Sequence, residues 1–434
     1  MKASASVKNF KSQLSMSRNF AYRQIRKICA EIGPRPCGYE PETKAQEYIA
    51  GVVGNFADEV KTEEFSVHPK AFLGWTKIAA VLVVIGVALL NLGYAAYAFI
   101  PAALALYCIV FEFLLYKEAV DFLYKKRTSR NVSAVYKAKG EVKRRIFIGG
   151  HIDSSYEWHS TYYGGAPLMF FVFIYAALGL GWVVIAAAVA CAKGFAAPGI
   201  GGVTDMTVSV FNYIAYAFVP GEIMLFFFLG THTPVMGAND NLTGVLSSAA
   251  VLQFLHDNDI RFENTEIVFL STGGEEAGLR GAKAYAKAHG EEIRNSGVET
   301  CFLAIDTLRD YECFGVYKRD LTGLFKQSDD VCELVRTAGL MSGVEMQFSS
   351  IYAGASDAAA FGQAGIKSVC LAAMNPGPPR YYHTRLDTVE RLEQKTIEKG
   401  IEMALNTVFL FDEQGLKEEY DLPGDNGGSE NADA

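Results

Sequence analysis

The sequence lacks an excess of positive charge. Its 434 residues include 40 lysines and arginines against 48 aspartates and glutamates, which gives a formal net charge of -8. Nucleic-acid-binding proteins carry clustered basic residues and a high isoelectric point, so this composition gives no reason to expect a nucleic-acid partner. The length is sufficient for two or three domains of ordinary size.

The sequence also lacks paired cysteine spacing and a secretory signal. Its eight cysteines are scattered, with no CxxC motif. Scattered thiols are more typical of a reducing compartment than of a disulfide framework. Residues 1–27 contain no apolar core of the kind that a signal peptide needs. We therefore expect the N-terminal part of the chain to begin in the cytosol.

Charge is almost absent from two long segments. Residues 78–116 contain one charged side chain, Glu112, and residues 160–231 contain none beyond Glu222 and those of a loop at 193–205. About 20 apolar residues suffice to cross a bilayer. The pattern predicts four transmembrane helices in two pairs, within residues 72–122 and 160–231. The alternative is a set of buried helices in a soluble protein, but these runs exceed the usual length of globular helices.

The distribution of basic residues predicts the orientation of these helices. Five basic side chains follow the first pair, whereas the loops inside the pairs contain only Lys193. The basic flank usually faces the cytoplasm, so we expect the rest of the chain to lie on that side of the membrane. Glu222 follows a Pro-Gly step inside a predicted helix, where ionisable residues are often functional. Alternatively, its carboxyl group simply faces the neighbouring helices.

The remaining segments predict one interrupted α/β domain formed by residues 1–71, 123–159 and 232–412. Short apolar runs alternate with helical stretches there. This alternation favours a mixed, largely parallel sheet with helices on both faces. The acidic, glycine-rich residues 413–434 predict a disordered tail. The predicted strands lie at residues 60–67, 132–136, 145–150, 266–270, 300–305 and 367–371.

Four potential metal ligands follow these predicted strands, and a fifth, Asp240, lies in the turn GANDNLTG just ahead of a predicted helix. In open α/β sheets, reactive groups collect at the carboxyl ends of the strands. Each residue alone would more often be a turn, a cap or a packed side chain. Together, two imidazoles and three carboxylates would suit two divalent cations about 3.5–4 Å apart. These five candidate ligands are His151, Asp240, Glu276, Asp306 and His383.

The order of these motifs resembles the M28 metallopeptidases, the co-catalytic zinc aminopeptidases. The motifs are HxD at 151–153, GANDNLTG at 237–244, EE at 275–276, an aspartate ending the next strand, and YHTRLDT at 382–388. The resemblance implies a zinc-peptidase/phosphorylase-like fold and two Zn²⁺ ions. One zinc would bind His151, Asp240 and Asp306. The other would bind Asp240, Glu276 and His383, so that Asp240 bridges both.

The resemblance also implies roles for residues that do not bind metal. Glu275 would be the general base that takes a proton from the attacking water. Asp153 would orient His151 through the second ring nitrogen, and Asp387 could do the same near His383.

Tyr382, His159 and the neighbouring aromatic residues have two open interpretations each. Tyr382 matches a tyrosine that donates to the oxyanion in some relatives, and it could equally be a packing residue. His159 and the aromatic residues 156–163 could line the substrate cleft or form an aromatic belt at the membrane interface. Ser356 and Asp357 resemble an SD motif, which we interpret as a loop near the substrate.

Taken together, the sequence predicts a membrane-anchored two-zinc exopeptidase, most simply an aminopeptidase acting on short peptides. Its expected partners are a peptide substrate and a lipid bilayer, and the chain could form a homo-oligomer. One alternative is a single-zinc glutaminyl-cyclase-type transferase, which would need neither His151 nor Asp306. Another is a catalytically silent scaffold or transport subunit. One assembled site requires an even number of crossings between His151 and Asp240, as the four-helix prediction provides.

Overall fold

A computed structural model describes residues 2–197 and 203–420. The strands in these residues are β1 (Glu59–Val67), β2 (Arg127–Tyr136), β3 (Arg144–His151), β4 (Tyr156–Trp158), β5 (Leu229–Pro234), β6 (Thr265–Thr272), β7 (Glu299–Leu308), β8 (Phe314–Asp320), β9 (Phe325–Lys326), β10 (Gln347–Ser350) and β11 (Lys367–Ala373). The helices are α1 (Ala3–Ser6), α2 (Phe10–Glu31), α3 (Glu40–Val53), α4 (Trp75–Asn91), α5 (Ala95–Tyr107), α6 (His159–Ala192), α7 (Met206–Tyr216), α8 (Val219–Phe226), α9 (Leu242–Asp257), α10 (Arg280–Asn295), α11 (Asp329–Met341), α12 (Asp357–Gln363) and α13 (Gln394–Gln414).

Nine strands form one mixed sheet in the order β1-β2-β6-β3-β7-β11-β8-β10, with β9 paired to β8. The four central strands, β6, β3, β7 and β11, are mutually parallel. Antiparallel pairs lie toward both edges, β1 with β2 on one side and β11 with β8 on the other. The predicted fold class is confirmed. Because the central strands run in one direction, their carboxyl ends meet at the same edge of the sheet.

The two faces of the sheet are covered by different helices. Successive side chains on a strand point to opposite faces, so alternate residues of β3 enter different hydrophobic cores. Ile146 and Ile148 pack with α2, α9 and α13, whereas Phe147 packs with α10 and α12. Strands β6 and β7 alternate in the same way. Burial on both faces explains why these strands read as continuous apolar runs.

Helices α4 to α8 pack together in a separate apolar cluster. Four helical segments among the described residues are long and apolar enough to cross a membrane: Phe72–Asn91, Ala95–Leu114, His159–Ala192 and Met206–Phe226. The segment after α5 continues as a π-helical turn over Cys108–Leu114. Many large apolar side chains on these helices face outward, among them Ile174 and Leu178. Such exposure is uncommon on a soluble protein.

The structure corrects two boundaries drawn from the sequence. The apolar run that we extended to residue 231 contains the start of β5, because Leu229–Pro234 pairs with β4 in a second, two-stranded sheet. At the other end of the chain, α13 continues to Gln414, so the first two residues assigned to the tail are helical. Residues 421–434 of that predicted tail lie outside the described part of the chain.

Candidate active site

The five candidate ligands meet at the carboxyl edge of the central strands. His151 is the last residue of β3, and Asp306 lies in β7 beside it. Glu276 follows β6 on a turn, and His383 lies in the loop between β11 and α13. Asp240 immediately precedes the N-cap of α9. Sequence-distant segments thus converge because parallel strands end at one edge.

Asp240 stands between the two imidazoles. Its Oδ1 lies 3.2 Å from Nε2 of His151, and its Oδ2 lies 3.0 Å from Nε2 of His383. Glu276 Oε1 also lies 3.0 Å from His383 Nε2. Asp306 Oδ1 lies 4.0 Å from His151 Nε2 on the other side. Each oxygen of Asp240 therefore faces a different histidine, as a carboxylate that bridges two cations would.

Glu275 is held close to this group by its backbone. Its Oε2 lies 3.8 Å from Nε2 of His151. The N–H groups of Glu275 and Glu276 donate to the two carboxylate oxygens of Asp153, at 3.0 and 3.1 Å. Asp153 is fully buried, and its carboxylate also lies 3.5 Å from His151 Nδ1. The hydrogen bond of His151 Nδ1 goes to the backbone carbonyl of Asp153, at 3.2 Å, so the Asp153 carboxylate holds the double-glutamate turn more closely than the imidazole.

The loop that carries Asp240 is fastened from two sides. Asp387 accepts hydrogen bonds from the N–H groups of Asn239 and Asp240, at 2.8 and 3.0 Å. The side-chain amide of Asn241 donates to the Ile305 carbonyl at 2.9 Å, which ties the loop to β7. A methyl group at Gly244 would approach that carbonyl oxygen to 2.0 Å, so the first turn of α9 can lie this close only with glycine.

Two aromatic rings enclose His383. Tyr382 stacks on its imidazole with ring centroids 3.8 Å apart, and Trp158 meets it edge-on at 4.4 Å. The loop is anchored by Glu157, whose buried carboxylate accepts from the backbone N–H and the guanidinium of Arg385. The rings and the charged pair fix the direction of the His383 side chain toward Asp240 and Glu276.

The charges of the site strongly influence one another. Burial and the nearby Asp240 carboxylate raise the pKa of Asp306 to about 7. Burial disfavours a charged imidazole, but the carboxylates of Glu276 and Asp240 raise the pKa of His383 to about 10. Burial alone would raise the pKa of Asp240, yet the two imidazoles hold it well below its usual value. Burial and the neighbouring Glu276 raise the pKa of Glu275, although His151 opposes the shift.

The arrangement fits bound cations. Asp240 Oδ2 and Glu276 Oε1 are buried and have no well-directed hydrogen-bond partner among the described residues, although both lie near His383. Buried acceptors without partners are costly. Imidazole nitrogen and carboxylate oxygen are common zinc ligands. Side-chain donor atoms of His151, Asp240 and Glu276 lie within 4.8 Å of one another, as do those of His151, Glu275 and Asp306.

One protein-family model matches the part of the chain that contains most of this site. Residues 222–408 match the model of peptidase family M28. This M28 segment contains Asp240, Glu275, Glu276, Asp306 and His383, whereas His151 lies before it. No curated protein sequence matches the chain significantly.

Solved structures share the fold at low sequence identity. A zinc aminopeptidase from Bacillus subtilis has a TM-score of 0.54 and 16% identity, covering 90% of this chain and 94% of that one. An aminopeptidase from Aneurinibacillus sp. strain AM-1 has a TM-score of 0.53 and 16% identity, covering 92% and 95%. A glutaminyl cyclase from an Acidobacteriales bacterium has a TM-score of 0.54 and 13% identity, covering 92% and 96%. These comparisons show that the M28 segment belongs to a fold used by both kinds of enzyme.

Three expectations about the surroundings of the site are wrong or incomplete. Asp387 supports the Asp240 loop rather than His383, whose Nδ1 has no hydrogen-bond partner in the described residues. Residues 350–355 line the cavity above the site, but Ser356 and Asp357 are buried behind it. His159 donates through Nδ1 to the Phe227 carbonyl, 2.8 Å away, and it is Trp158 that lines the cavity.

Arg35 is a supporting residue that sequence reasoning missed. It is fully buried, and its guanidinium donates to the carbonyl groups of Ile152, Met236 and Gly237. It thereby joins the chain after β3 to the segment that leads into the Asp240 loop. A single arginine in a GPRPCG stretch carries no chemical signal by itself, because its partners are backbone carbonyls far away in sequence.

Proposed function

We propose that this protein is a two-zinc exopeptidase, most simply an aminopeptidase, anchored in a membrane by its four apolar helices. The observation that carries the proposal is the position of Asp240, whose two oxygens lie 3.2 and 3.0 Å from different histidines. Three further carboxylates surround this pair within a buried pocket. The match of residues 222–408 to the M28 model and the fold shared with zinc aminopeptidases support the same conclusion.

The residues divide into ligands and a base. His151, Asp240 and Asp306 would hold one zinc, and Asp240, Glu276 and His383 the other. When bound, the two cations lower the pKa of a water molecule and polarise the scissile carbonyl.

Glu275 has no place in either ligand set, yet Asp153 fixes its backbone beside them. Its carboxylate would take a proton from water at Oε2 and deliver it to the departing amine. The Tyr382 hydroxyl is a candidate donor to the carbonyl oxygen, since its ring lines the same cavity.

Metal content and peptide hydrolysis test this proposal together. We expect about two zincs per chain in both the wild type and Glu275→Gln, with hydrolysis of aminoacyl anilides reduced at least about 100-fold in the variant. Glu276→Gln is the matched comparison, because the same substitution one residue later should lower the zinc content. Loss of zinc from Glu275→Gln, or full activity in it, would contradict the assignment of the base.

A second candidate is a single-zinc glutaminyl-cyclase-type transferase. It is favoured by the fold shared with glutaminyl cyclases at the same TM-score of 0.54. That reaction would need Asp240, Glu276, His383 and Glu275 only. The two candidates differ in metal content and in product: one zinc and ammonia release from a peptide with N-terminal glutamine would favour the transferase.

Anchoring to a membrane and the cytoplasmic position of the site also belong to the proposal. The four apolar segments and their outward-facing apolar side chains support anchoring. The basic residues after the first pair support a cytoplasmic position. The partners proposed are a peptide and the bilayer.

A further inference from the structure

A second cavity lies among the apolar helices, next to the candidate active site. It has a volume of about 260 Å³ and walls from α4, α6, α8 and the π-helical turn. This is close to the lower end of the range for ligand pockets, roughly 300–1,000 Å³. Almost all of its lining side chains are apolar, with Trp75, Phe113 and Phe173 among the largest.

This cavity borders the pocket above the candidate metal ligands. Four residues line both spaces: Phe113, Phe170, Tyr352 and Ala353. An extended molecule bound at the ligands could therefore reach the space between the apolar helices past these four side chains. It would have a polar end at His151 and Asp240 and an apolar end between the helices.

One polar group faces this apolar end. Glu222 lines the cavity, is 1% exposed, and has no hydrogen-bond partner for either carboxylate oxygen within the described residues. Its Oε1 lies against the bare backbone of Gly179 on α6, where a methyl group would approach to 2.6 Å. A buried carboxyl group without a partner is costly, so its presence here points to a ligand that carries a hydrogen-bond donor.

The cavity also reaches the outer surface of the apolar helices. Ala177 on α6 lines it and is exposed at the same time. Its neighbour Leu178 is 57% exposed on the surface that would face lipid. A substrate dissolved in the bilayer could thus enter from the side rather than from water.

We infer that the substrate is a hydrophobic peptide, whose first residue lies at the metal ligands and whose following apolar residues occupy the cavity between the helices. This inference rests on the proposed peptidase function and adds the substrate class. Glu222 pairs with a backbone N–H of that peptide, which would otherwise be unsatisfied in an apolar environment. A plain alkyl chain fits the walls equally well but would leave Glu222 unpaired, so the peptide is favoured.

The first test compares two tetrapeptides that share their first two residues and end in two leucines or two serines. We expect the wild type, zinc-loaded in detergent, to favour the leucine peptide in kcat/KM by about tenfold or more, given the gain from burying leucine. In Ala177→Phe the kcat/KM values for the leucine and serine peptides should differ by no more than about twofold. Ala188→Phe, also an exposed alanine on α6 but outside the cavity, should retain the wild-type ratio. Equal zinc content in all proteins checks folding.

The second test addresses Glu222. Glu222→Leu should lower kcat/KM for the leucine peptide about three- to tenfold, the range of a hydrogen bond to such a group. Glu222→Gln keeps an acceptor and should remain within about threefold of the wild type. A leucine peptide that is N-methylated at its two final amides cannot donate to Glu222. In the wild type its kcat/KM should be as low as that of Glu222→Leu with the unmethylated peptide, and Glu222→Leu should lower it no further.

The outcomes separate this inference from the proposed function. If both peptides are cleaved equally, or Ala177→Phe keeps the preference, the cavity does not bind substrate although the enzyme is a peptidase. If aminoacyl amides of long alkylamines show the preference and are insensitive to Glu222, the occupant is an alkyl chain rather than a peptide. If neither peptide is cleaved, the proposed function fails. Binding of a fluorescent leucine peptide to zinc-loaded Glu275→Gln, with and without Ala177→Phe, then decides the inference independently.

Discussion

Adjacent glutamates on a buried turn need an explanation at the level of single side chains. Glu275 and Glu276 repel each other, and each is close to a further carboxylate, Asp306 or Asp240. The described residues supply two imidazoles but no lysine or arginine side chain within salt-bridge distance of these carboxylates. Two divalent cations would compensate this accumulation of negative charge, which is why the metal proposal also explains the stability of the turn.

Asp153 should control metal affinity without binding metal. In Asp153→Asn the side-chain amide can accept only one of the two N–H groups of Glu275 and Glu276, and it no longer attracts His151. We expect zinc affinity to fall about 10- to 100-fold, as for other partners of metal ligands. Competition with a chromogenic chelator measures this affinity. The control is Asp58→Asn, which changes a partly exposed carboxylate that pairs with Arg261 far from the site. It should change zinc affinity less than twofold. An unchanged affinity in Asp153→Asn would contradict the positioning role.

Zinc binding should release protons and strengthen as pH rises. His383 has a pKa raised to about 10 and Asp306 a pKa raised to about 7 in the protein alone, so both hold protons in part or fully at pH 7. Metal binding requires the deprotonated forms. Below these pKa values the apparent affinity should rise about tenfold per pH unit for each proton released.

Calorimetry of the metal-free protein measures this effect between pH 6 and 8. Titrations in two buffers with different ionisation enthalpies give the number of protons released per zinc. Between pH 6 and 8 His383 should contribute close to one proton throughout, whereas the contribution of Asp306 should diminish as pH passes 7. Affinity that does not change with pH would rule out both ligands as assigned.

The sequence predicted the site residues better than their supporting contacts. Four candidate ligands could be found because they follow apolar strands, and parallel strands fix where those ends meet. Asp240 could be found because it lies in a polar turn just ahead of a helix. The hydrogen-bond partners of Asp153 and Asp387 could not be predicted, since a carboxylate accepts equally well from an imidazole or from a backbone N–H. Which donor lies closer depends on how loops from distant segments pack, and neither spacing nor residue type contains that information.

At the scale of elements, one arginine joins the double-glutamate turn to the apolar helices. Arg280 begins α10, four residues after Glu276, and its side chain is only 4% exposed. Its guanidinium donates to both oxygens of Asp121 at 2.8 Å and lies 3.5 Å from Glu112 on the π-helical turn. The segment that follows the first helix pair is thus fixed to the helix that follows the double glutamate.

Removal of this arginine should destabilise the protein. Arg280→Met leaves the buried Glu112 without a cation and Asp121 with only His68 as a basic partner. A loss of about 3 kcal/mol in the free energy of unfolding is expected. Arg294→Met, on the same helix but exposed, should cost less than about 1 kcal/mol. Thermal unfolding of zinc-loaded protein in detergent compares the two. Equal midpoints for both variants would show that the buried cluster does not couple the helices to the turn.

Hydropathy located the apolar helices but could not find where the last one ends. Phe226, Phe227, Phe228 and Leu229 form an unbroken apolar run, yet the helix stops at the first of them and the last begins β5. Pairing of β5 with β4 determines this end, and β4 lies about 70 residues earlier in the chain. A strand as short as β4 has no periodicity that a sequence window could detect.

At the scale of the whole molecule, the site itself constrains how the chain crosses a membrane. His151 precedes α6, and Asp240 follows α8, yet the two side chains lie 3.2 Å apart. Strands β1 and β2 likewise flank the first helix pair and are hydrogen-bonded to each other. If these helices span a membrane as proposed, each pair must cross it an even number of times. Every part of the α/β domain would then lie on one side, whichever side that is.

This constraint predicts which positions a membrane-impermeant thiol reagent can reach. Background labelling is first removed by replacing Cys191 and Cys313, the two cysteines that are not buried. In intact cells we expect Lys193→Cys, in the loop between α6 and α7, to react, and Lys417→Cys, after α13, to react only once the membrane is permeabilised. The basic residues after the first pair set this direction. The reverse result would place the site outside the cytoplasm, and labelling of both positions from one side would contradict the paired crossings.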